Sequence, residues 1–141
     1  MVTSQRNNKE TFFNKKIAVV DDEENIAQLF VHALNANGYR AEAFTDPLNA
    51  FEKICSDHSS YGLVLSDVRM PGLSGIDLAT KLKTKFQRMK IILMSAFEEE
   101  YIKSTNIKNI DYFISKPAHI EKVLGIVEAV VTPPKIKIEK N

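Results

Sequence analysis

Three carboxylates, a hydroxyl and an ammonium stand at the ends of four apolar runs. Ile17-Ala18-Val19-Val20 leads into Asp21-Asp22, and Leu63-Val64-Leu65 leads into Asp67. Ile91-Ile92-Leu93-Met94 ends in Ser95, and Tyr112-Phe113-Ile114-Ser115 gives way to Lys116-Pro117. In an open parallel sheet, ligands bind in the crevice at the carboxyl ends of the strands. Like charges gathered there repel one another, and a hard divalent cation removes that cost. Mg²⁺ suits a site that offers one or two carboxylates, a carbonyl, waters and phosphate oxygens. Asp21-Asp22 alone would be an ordinary turn and helix cap, and Ser95 or Lys116 alone an ordinary strand-end cap or solvated charge. Asp67 at the end of a second strand makes a constellation of them, suited to a divalent cation plus a phosphoryl group. An ammonium aimed into that cluster pairs with a carboxylate first and with phosphoryl oxygens later.

These residues need a scaffold that brings four strand ends together. Strands are expected near 16–20, 40–44, 62–66, 90–95 and 111–115, with stretches of helical period between them. Ile26, Leu29, Phe30, Ala33 and Leu34 share a helical face, and Gly38 follows where a left-handed cap residue belongs. Asp46-Pro47 reads as N-cap and first helical residue of a helix with Leu48, Phe51, Ile54 and Cys55 inward. Ser74 caps a helix carrying Leu78, Ala79, Leu82 and Phe86, and the last helix sets Ile120, Val123, Leu124, Val127, Val130 and Val131 on its buried stripe. A further helix is expected between the last two strands, begun by Glu98-Glu99-Glu100, where acids suit the positive end of the dipole. Five strands alternating with five helices is the pattern of parallel βαβ units. The first, third and fourth strands are continuously apolar, as strands covered on both faces are. The weaker Arg40-Ala41-Glu42-Ala43-Phe44 suits an edge.

The chain has 141 residues, enough for one domain with a core of ordinary size. A net charge of +1 provides no broad field for nucleic acid or anionic lipid. Cys55 is the only cysteine, which excludes an internal disulfide and reads as an inert thiol on an apolar face. No run approaches the ~18 apolar residues of a membrane span, so a cytoplasmic location is expected. Residues 1–14 are expected to form a loose polar arm, 15–132 the folded domain, and 133–141 a short tail opened by Pro133-Pro134.

Val20-Asp21-Asp22-Glu23-Glu24, Asp67-Val68-Arg69-Met70-Pro71-Gly72-Leu73-Ser74-Gly75, Met94-Ser95-Ala96 and Asp111-Tyr112-Phe113-Ile114-Ser115-Lys116-Pro117 together resemble the receiver domain of two-component response regulators. The resemblance covers about residues 15–131, with the motifs in order. It implies a flavodoxin-like sheet in strand order 2-1-3-4-5. It also implies that Asp67 accepts a phosphoryl group from a phosphohistidine on a partner histidine kinase. By the same resemblance, Asp22, Asp67 and the backbone carbonyl of Arg69 hold Mg²⁺, with Asp21 helping through water. Lys116 and Ser95 contact the phosphoryl group, Phe113 is the aromatic that turns inward on activation, and the Lys116–Pro117 bond is cis. The implied output is phosphorylation-dependent binding of a protein through a face spanning 97–125, with Ile126 and Tyr112 as exposed apolar contacts. The expectation is a stand-alone receiver that turns over no metabolite and, with a net charge of +1 and no DNA-binding domain, makes no direct contact with nucleic acid.

Two other functions compete. A Mg²⁺-dependent aspartyl-phosphate phosphatase would also use an Asp nucleophile, but usually wants a second acid two residues later, where Arg69 stands. A receiver-like scaffold acting without phosphate would have no need of the complete set Asp21, Asp22, Asp67, Ser95 and Lys116. The chain departs from the commonest receiver pattern at Ser95, where Thr is frequent, and at Phe113, where Tyr is more usual. Arg69 and Phe97, each two residues beyond a site residue, are expected to flank the mouth of the site, where they would tune loss of the phosphoryl group.

Overall fold

The computed structural model describes residues 15–97, 101 and 110–132. Five parallel strands, β1 (Lys16–Val20), β2 (Ala41–Phe44), β3 (Tyr61–Asp67), β4 (Lys90–Ser95) and β5 (Tyr112–Ser115), form one sheet in the order β2-β1-β3-β4-β5. Helices α1 (Glu24–Ala36), α2 (Pro47–Ser56), α3 (Gly75–Lys85) and α4 (Ile120–Val131) connect and cover it. This is the flavodoxin-like arrangement, with β2 at one edge as its polar pattern suggested. Four α-helices are present among the described residues where the sequence suggested five. The fifth falls at 98–109, and of that stretch only Tyr101 is described. The expected arm at 1–14 and tail at 133–141 also lie outside the described residues.

Strand alternation divides the core into two layers. Ile17 and Val19 of β1, with Leu63, Leu65, Ile92 and Met94, face α1 and α4. Ala18, Val20, Val64, Ile91 and Leu93 face α2 and α3. Both faces of β1, β3 and β4 are therefore buried, which is why those strands carry unbroken apolar runs.

The helix boundaries follow from local chemistry. Asp46 Oδ1 accepts from the Leu48 N–H at 3.0 Å with Pro47 as the first helical residue, and Ser74 Oγ accepts from the Asp77 N–H at 3.1 Å. Gly38 takes φ +93° after α1, the left-handed conformation expected of it.

Several burial assignments need correction. Leu29 and Leu48 are each 51% exposed. The stripe of α1 runs through Ala27, Phe30, Val31 and Leu34, spaced three, one and three apart, and Leu29 lies about 100° off it. In α2 the inward set is Pro47, Ala50 and Ile54, and Leu48 in the first turn faces out. Cys55 is half-buried, and Ile126 packs partly against the core rather than standing exposed. Tyr112 is 47% exposed, as strand alternation required.

Candidate phosphoryl and metal site

The four strand ends meet because β1, β3, β4 and β5 are consecutive neighbours in the sheet. The register pairs Val20 with Ser66, Asp67 with Met94 and Ser95 with Ser115, so the next step along β1 sets Asp21 beside Asp67. The ladder continues beyond the strands. Asp21 N–H donates to Phe44 O (3.0 Å), Val68 N–H to Met94 O (3.0 Å) and Lys116 N–H to Ser95 O (2.9 Å). Each chemical side chain thus sits on a backbone fixed from a neighbouring strand, which limits its motion before any ligand arrives.

One carboxylate oxygen from each of Asp21, Asp22 and Asp67 can be chosen so that all three lie within 4.8 Å of one another. Asp21 is only 2% exposed, whereas Asp22 is open to solvent. Asp21 Oδ1 accepts from the Glu23 N–H at 2.9 Å, which aims the carboxylate, but Oδ2 is buried and makes no hydrogen bond among the described residues. Burial pushes the Asp21 carboxyl above its ordinary range. The Glu23 N–H opposes that shift, the negative charge of Asp67 adds to it, Lys116 opposes it, and Asp22 adds to it. A buried, unsatisfied carboxylate oxygen beside two more acids fits a hard divalent cation, which would satisfy the oxygen and remove the repulsion.

Lys116 Nζ lies 3.0 Å from Asp67 Oδ1, the contact expected of an ammonium directed into the cluster. It arrives from the end of β5, where the Lys116–Pro117 peptide is cis. Ser95, 3% exposed, accepts from the Phe97 N–H at 3.1 Å through its hydroxyl oxygen. The Arg69 guanidinium lies 3.5 Å from the centroid of the Phe97 ring, so the two residues expected to flank the mouth also stack on one another. Phe113 is half-buried, and its ring meets that of Tyr101 edge-on at 5.3 Å.

One positioning contact leaves almost no trace in the sequence. Gly75 opens α3 with its N–H donating to Val68 O at 2.8 Å, and a Cβ there would lie 2.2 Å from the Asp67 carbonyl oxygen. The first turn of α3 therefore rests directly on the backbone of Asp67. The only signal in the sequence is a glycine just inside an N-cap, which reads equally well as part of a turn. Ser66 adds a second support, its hydroxyl donating to the same Asp67 carbonyl at 2.8 Å.

Residues 17–128 match the family model of the response regulator receiver domain. The chain belongs to the response regulator receiver family. Receiver domains are signalling domains that take phosphoryl groups from histidine kinases. The phosphoglycerate transport system transcriptional regulatory protein PgtA of Salmonella typhimurium is 33% identical over 79% of this chain. The alkaline phosphatase synthesis transcriptional regulatory protein PhoP of Bacillus subtilis is 31% identical over 84%. The aligned parts make up 27% and 49% of those two relatives, so the chain spans a quarter to a half of their length. Among solved structures, the Thermotoga maritima response regulator TrrA, in complex with Mg²⁺ and a beryllium fluoride, superposes with a TM-score of 0.74 at 31% identity. It covers 82% of this chain and 98% of its own. A receiver domain from Clostridium thermocellum, 20% identical with a TM-score of 0.76 over 83% of this chain and 94% of its own, supports the fold alone.

Proposed function

We propose that Asp67 is the phosphoacceptor of a receiver that signals by phosphorylation-dependent protein binding, without turning over a metabolite. The observation that carries this reading is the convergence on Asp67 of Lys116 at 3.0 Å and of two further carboxylates, one with a buried oxygen that has no hydrogen bond. An Asp67 carboxylate oxygen attacks phosphorus, the bond from phosphorus to the kinase imidazole breaks, and the imidazole leaves with its electron pair. Phosphoryl transfer asks for alignment and for neutralised charge on the equatorial oxygens more than for covalent help. Lys116 supplies a cation on one side. Asp22, Asp67 and the Arg69 carbonyl, with Asp21 behind them, would hold Mg²⁺ on the other, where its charge offsets that of the phosphoryl oxygens. The Thermotoga relative, whose complex contains Mg²⁺ and a beryllium fluoride, supports that assignment.

The product is a dianionic group carrying strong acceptor oxygens. Ser95 hydrogen-bonds it by moving inward, and that movement reaches further along the chain. Phe97 N–H is bonded to Ser95 Oγ, Tyr101 N–H donates to Phe97 O at 3.3 Å, and the Tyr101 ring contacts Phe113. Displacing Ser95 therefore disturbs the seat of Phe113, which turns inward and alters the surface around Tyr101 and Tyr112. Most of the expected output face, residues 98–100 and 102–109, lies outside the described residues. A cytoplasmic setting and an output with no direct contact to nucleic acid go with this reading.

An aspartyl-phosphate phosphatase is the weaker reading, because the position two residues after Asp67 holds Arg69, stacked on Phe97, instead of an acid. Incubation with acetyl phosphate and Mg²⁺ followed by intact-mass measurement should show one added phosphoryl group, absent in Asp67→Asn. Equal labelling of Asp67→Asn would overturn the assignment. Rapid turnover of p-nitrophenyl phosphate would favour the phosphatase.

A further inference from the structure

At the opposite end of the sheet from Asp67, a groove of about 590 Å³ opens beside the first residues of β3 and β4. Its floor is apolar and aromatic. His58 and Phe86 stack with their centroids 4.8 Å apart and their planes 19° from parallel, next to the buried Met89. Its rim carries Lys15, Arg88 and Lys90, and among the described residues no carboxylate lines it. Little within the fold neutralises those cations. Lys15 Nζ bonds only the Ser59 carbonyl, at 3.0 Å, and Arg88 makes no ion pair among the described residues. Lys90 pairs at 3.7 Å with Asp111 Oδ1, but it shares that carboxylate's single charge with Lys83, 3.4 Å from Oδ2, and the Ile91 N–H also donates to Oδ2 at 2.8 Å.

We infer that this groove docks a short acidic segment of a partner protein, seating one aromatic or large apolar side chain against His58 and Phe86 while its carboxylates pair with Lys15, Arg88 and Lys90. The volume falls within the range of ligand clefts, roughly 300–1,000 Å³, which is room for an aromatic side chain and its neighbours. The charge is local, since the whole chain carries only +1. A concave patch of three cations on a nearly neutral protein suits a peptide with two or three acids better than a duplex or a bilayer, both of which favour a broad field. β3 runs from Tyr61 at the groove to Asp67, six steps or about 20 Å. Occupation of the groove therefore leaves the phosphoryl site accessible. It provides an attachment that persists whether or not Asp67 is modified, and it does not depend on the role proposed for Asp67.

The test is fluorescence anisotropy of the whole chain with a labelled peptide of aspartates and glutamates around a single phenylalanine. Binding is expected with a dissociation constant on the order of 10–100 µM, weakened by salt and unchanged within about two-fold by Mg²⁺ with beryllofluoride. Arg88→Glu and Lys15→Glu should each weaken it about ten-fold while intact-mass labelling by acetyl phosphate proceeds as in the parent chain. The inference is overturned if both variants bind as the parent does, or if the same peptide without phenylalanine binds equally. It is likewise overturned if a DNA duplex, free nucleotide or anionic phosphatidylserine vesicles bind more tightly than the peptide and lose binding in the same variants.

Discussion

Gly75→Ala tests how Asp67, the proposed phosphoacceptor, is held. The added Cβ would stand 2.2 Å from the Asp67 carbonyl oxygen, 2.9 Å from Val68 Cα and 3.0 Å from the Asp67 carbonyl carbon. Ordinary contact begins at 3.4 Å, so the oxygen and the helix start must separate by about 1.2 Å (3.4 less 2.2). All three neighbours are backbone, so no side chain can swing aside. Either α3 lifts from the sheet, straining the 2.8 Å bond from Gly75 N–H to Val68 O, or the Asp67 backbone shifts and loosens the 2.8 Å bond from Ser66 Oγ. Overpacking of this kind costs about 1–3 kcal/mol. A displacement of about 1 Å at the nucleophile costs up to about 10²-fold in rate. Urea unfolding should therefore show a loss within that range, and the acetyl phosphate time course should slow by about 10- to 100-fold. Gly125→Ala is the control, since nothing lies within 4 Å of its Cβ position. It should leave the rate alone and raise stability by up to about 1 kcal/mol, because alanine is the better helix former. Equal stability and equal rates in the two variants would refute the argument.

Asp21→Asn should raise stability without metal by about 1 kcal/mol, since it removes a buried charge crowded by Asp67 and Asp22, and should abolish most of the added stability that Mg²⁺ gives the parent chain; thermal melts with and without the ion check both. Phe97→Glu and Arg69→Asn should each speed loss of the phosphoryl group several-fold, about 1 kcal/mol of barrier, because the Arg69–Phe97 stack covers the mouth that an in-line water must enter; unchanged mass-decay rates in both would dismiss the stack as a guard. Glu42→Gln should lower stability at neutral pH but not in acid. Burial raises the Glu42 carboxyl, yet hydrogen bonds from Tyr61 (2.5 Å) and Lys16 (2.9 Å) outweigh it, and the result lies below the ordinary value. That stability is present above the unfolded pKa and disappears as pH falls through the folded one, so urea midpoints of parent and variant should converge in acid.

The sheet was legible because its strands are covered on both faces and end in chemistry. Unbroken apolar runs set β1, β3 and β4, and the charged or hydroxyl residues at their carboxyl ends are the ones the fold gathers into one cluster. Helix faces were less legible where two large apolar residues adjoin. The α1 stripe turns from Phe30 toward Val31, which leaves Leu29 about 100° beyond its edge, and the apolar pattern fits a face running either way from Phe30. Leu48 misled for a different reason, since the first turn of a helix can meet solvent before the stripe settles. The support of Asp67 by Gly75 was invisible because a close approach of two backbones leaves no pattern in side-chain type. Neither did the Arg69–Phe97 stack, which joins residues 28 positions apart on separate loops, although each had been placed at the mouth on its own.

The two ends of the sheet hold opposite charge problems, and this gives the molecule its direction. At the carboxyl end, Asp21, Asp22 and Asp67 crowd negative charge that Lys116 partly offsets, an arrangement that fits a cation and, on the proposed reading, an incoming phosphoryl group. At the amino end, Lys15, Arg88 and Lys90 leave positive charge in a groove with no carboxylate among the described residues of its lining. The strands between are the most deeply buried part of the chain, with Leu63, Leu65, Ile91, Ile92 and Leu93 fully enclosed. Close-packed strands of this kind fix the distance between the ends but do not bend to carry a signal from one to the other. On the proposed reading, change on phosphorylation leaves sideways, along the contacts from Ser95 through Phe97 and Tyr101 to Phe113 at the β5 edge. If both proposals hold, a partner tethered at the amino end would stay in place while that edge changes, and the chain would hold one protein while reporting to another.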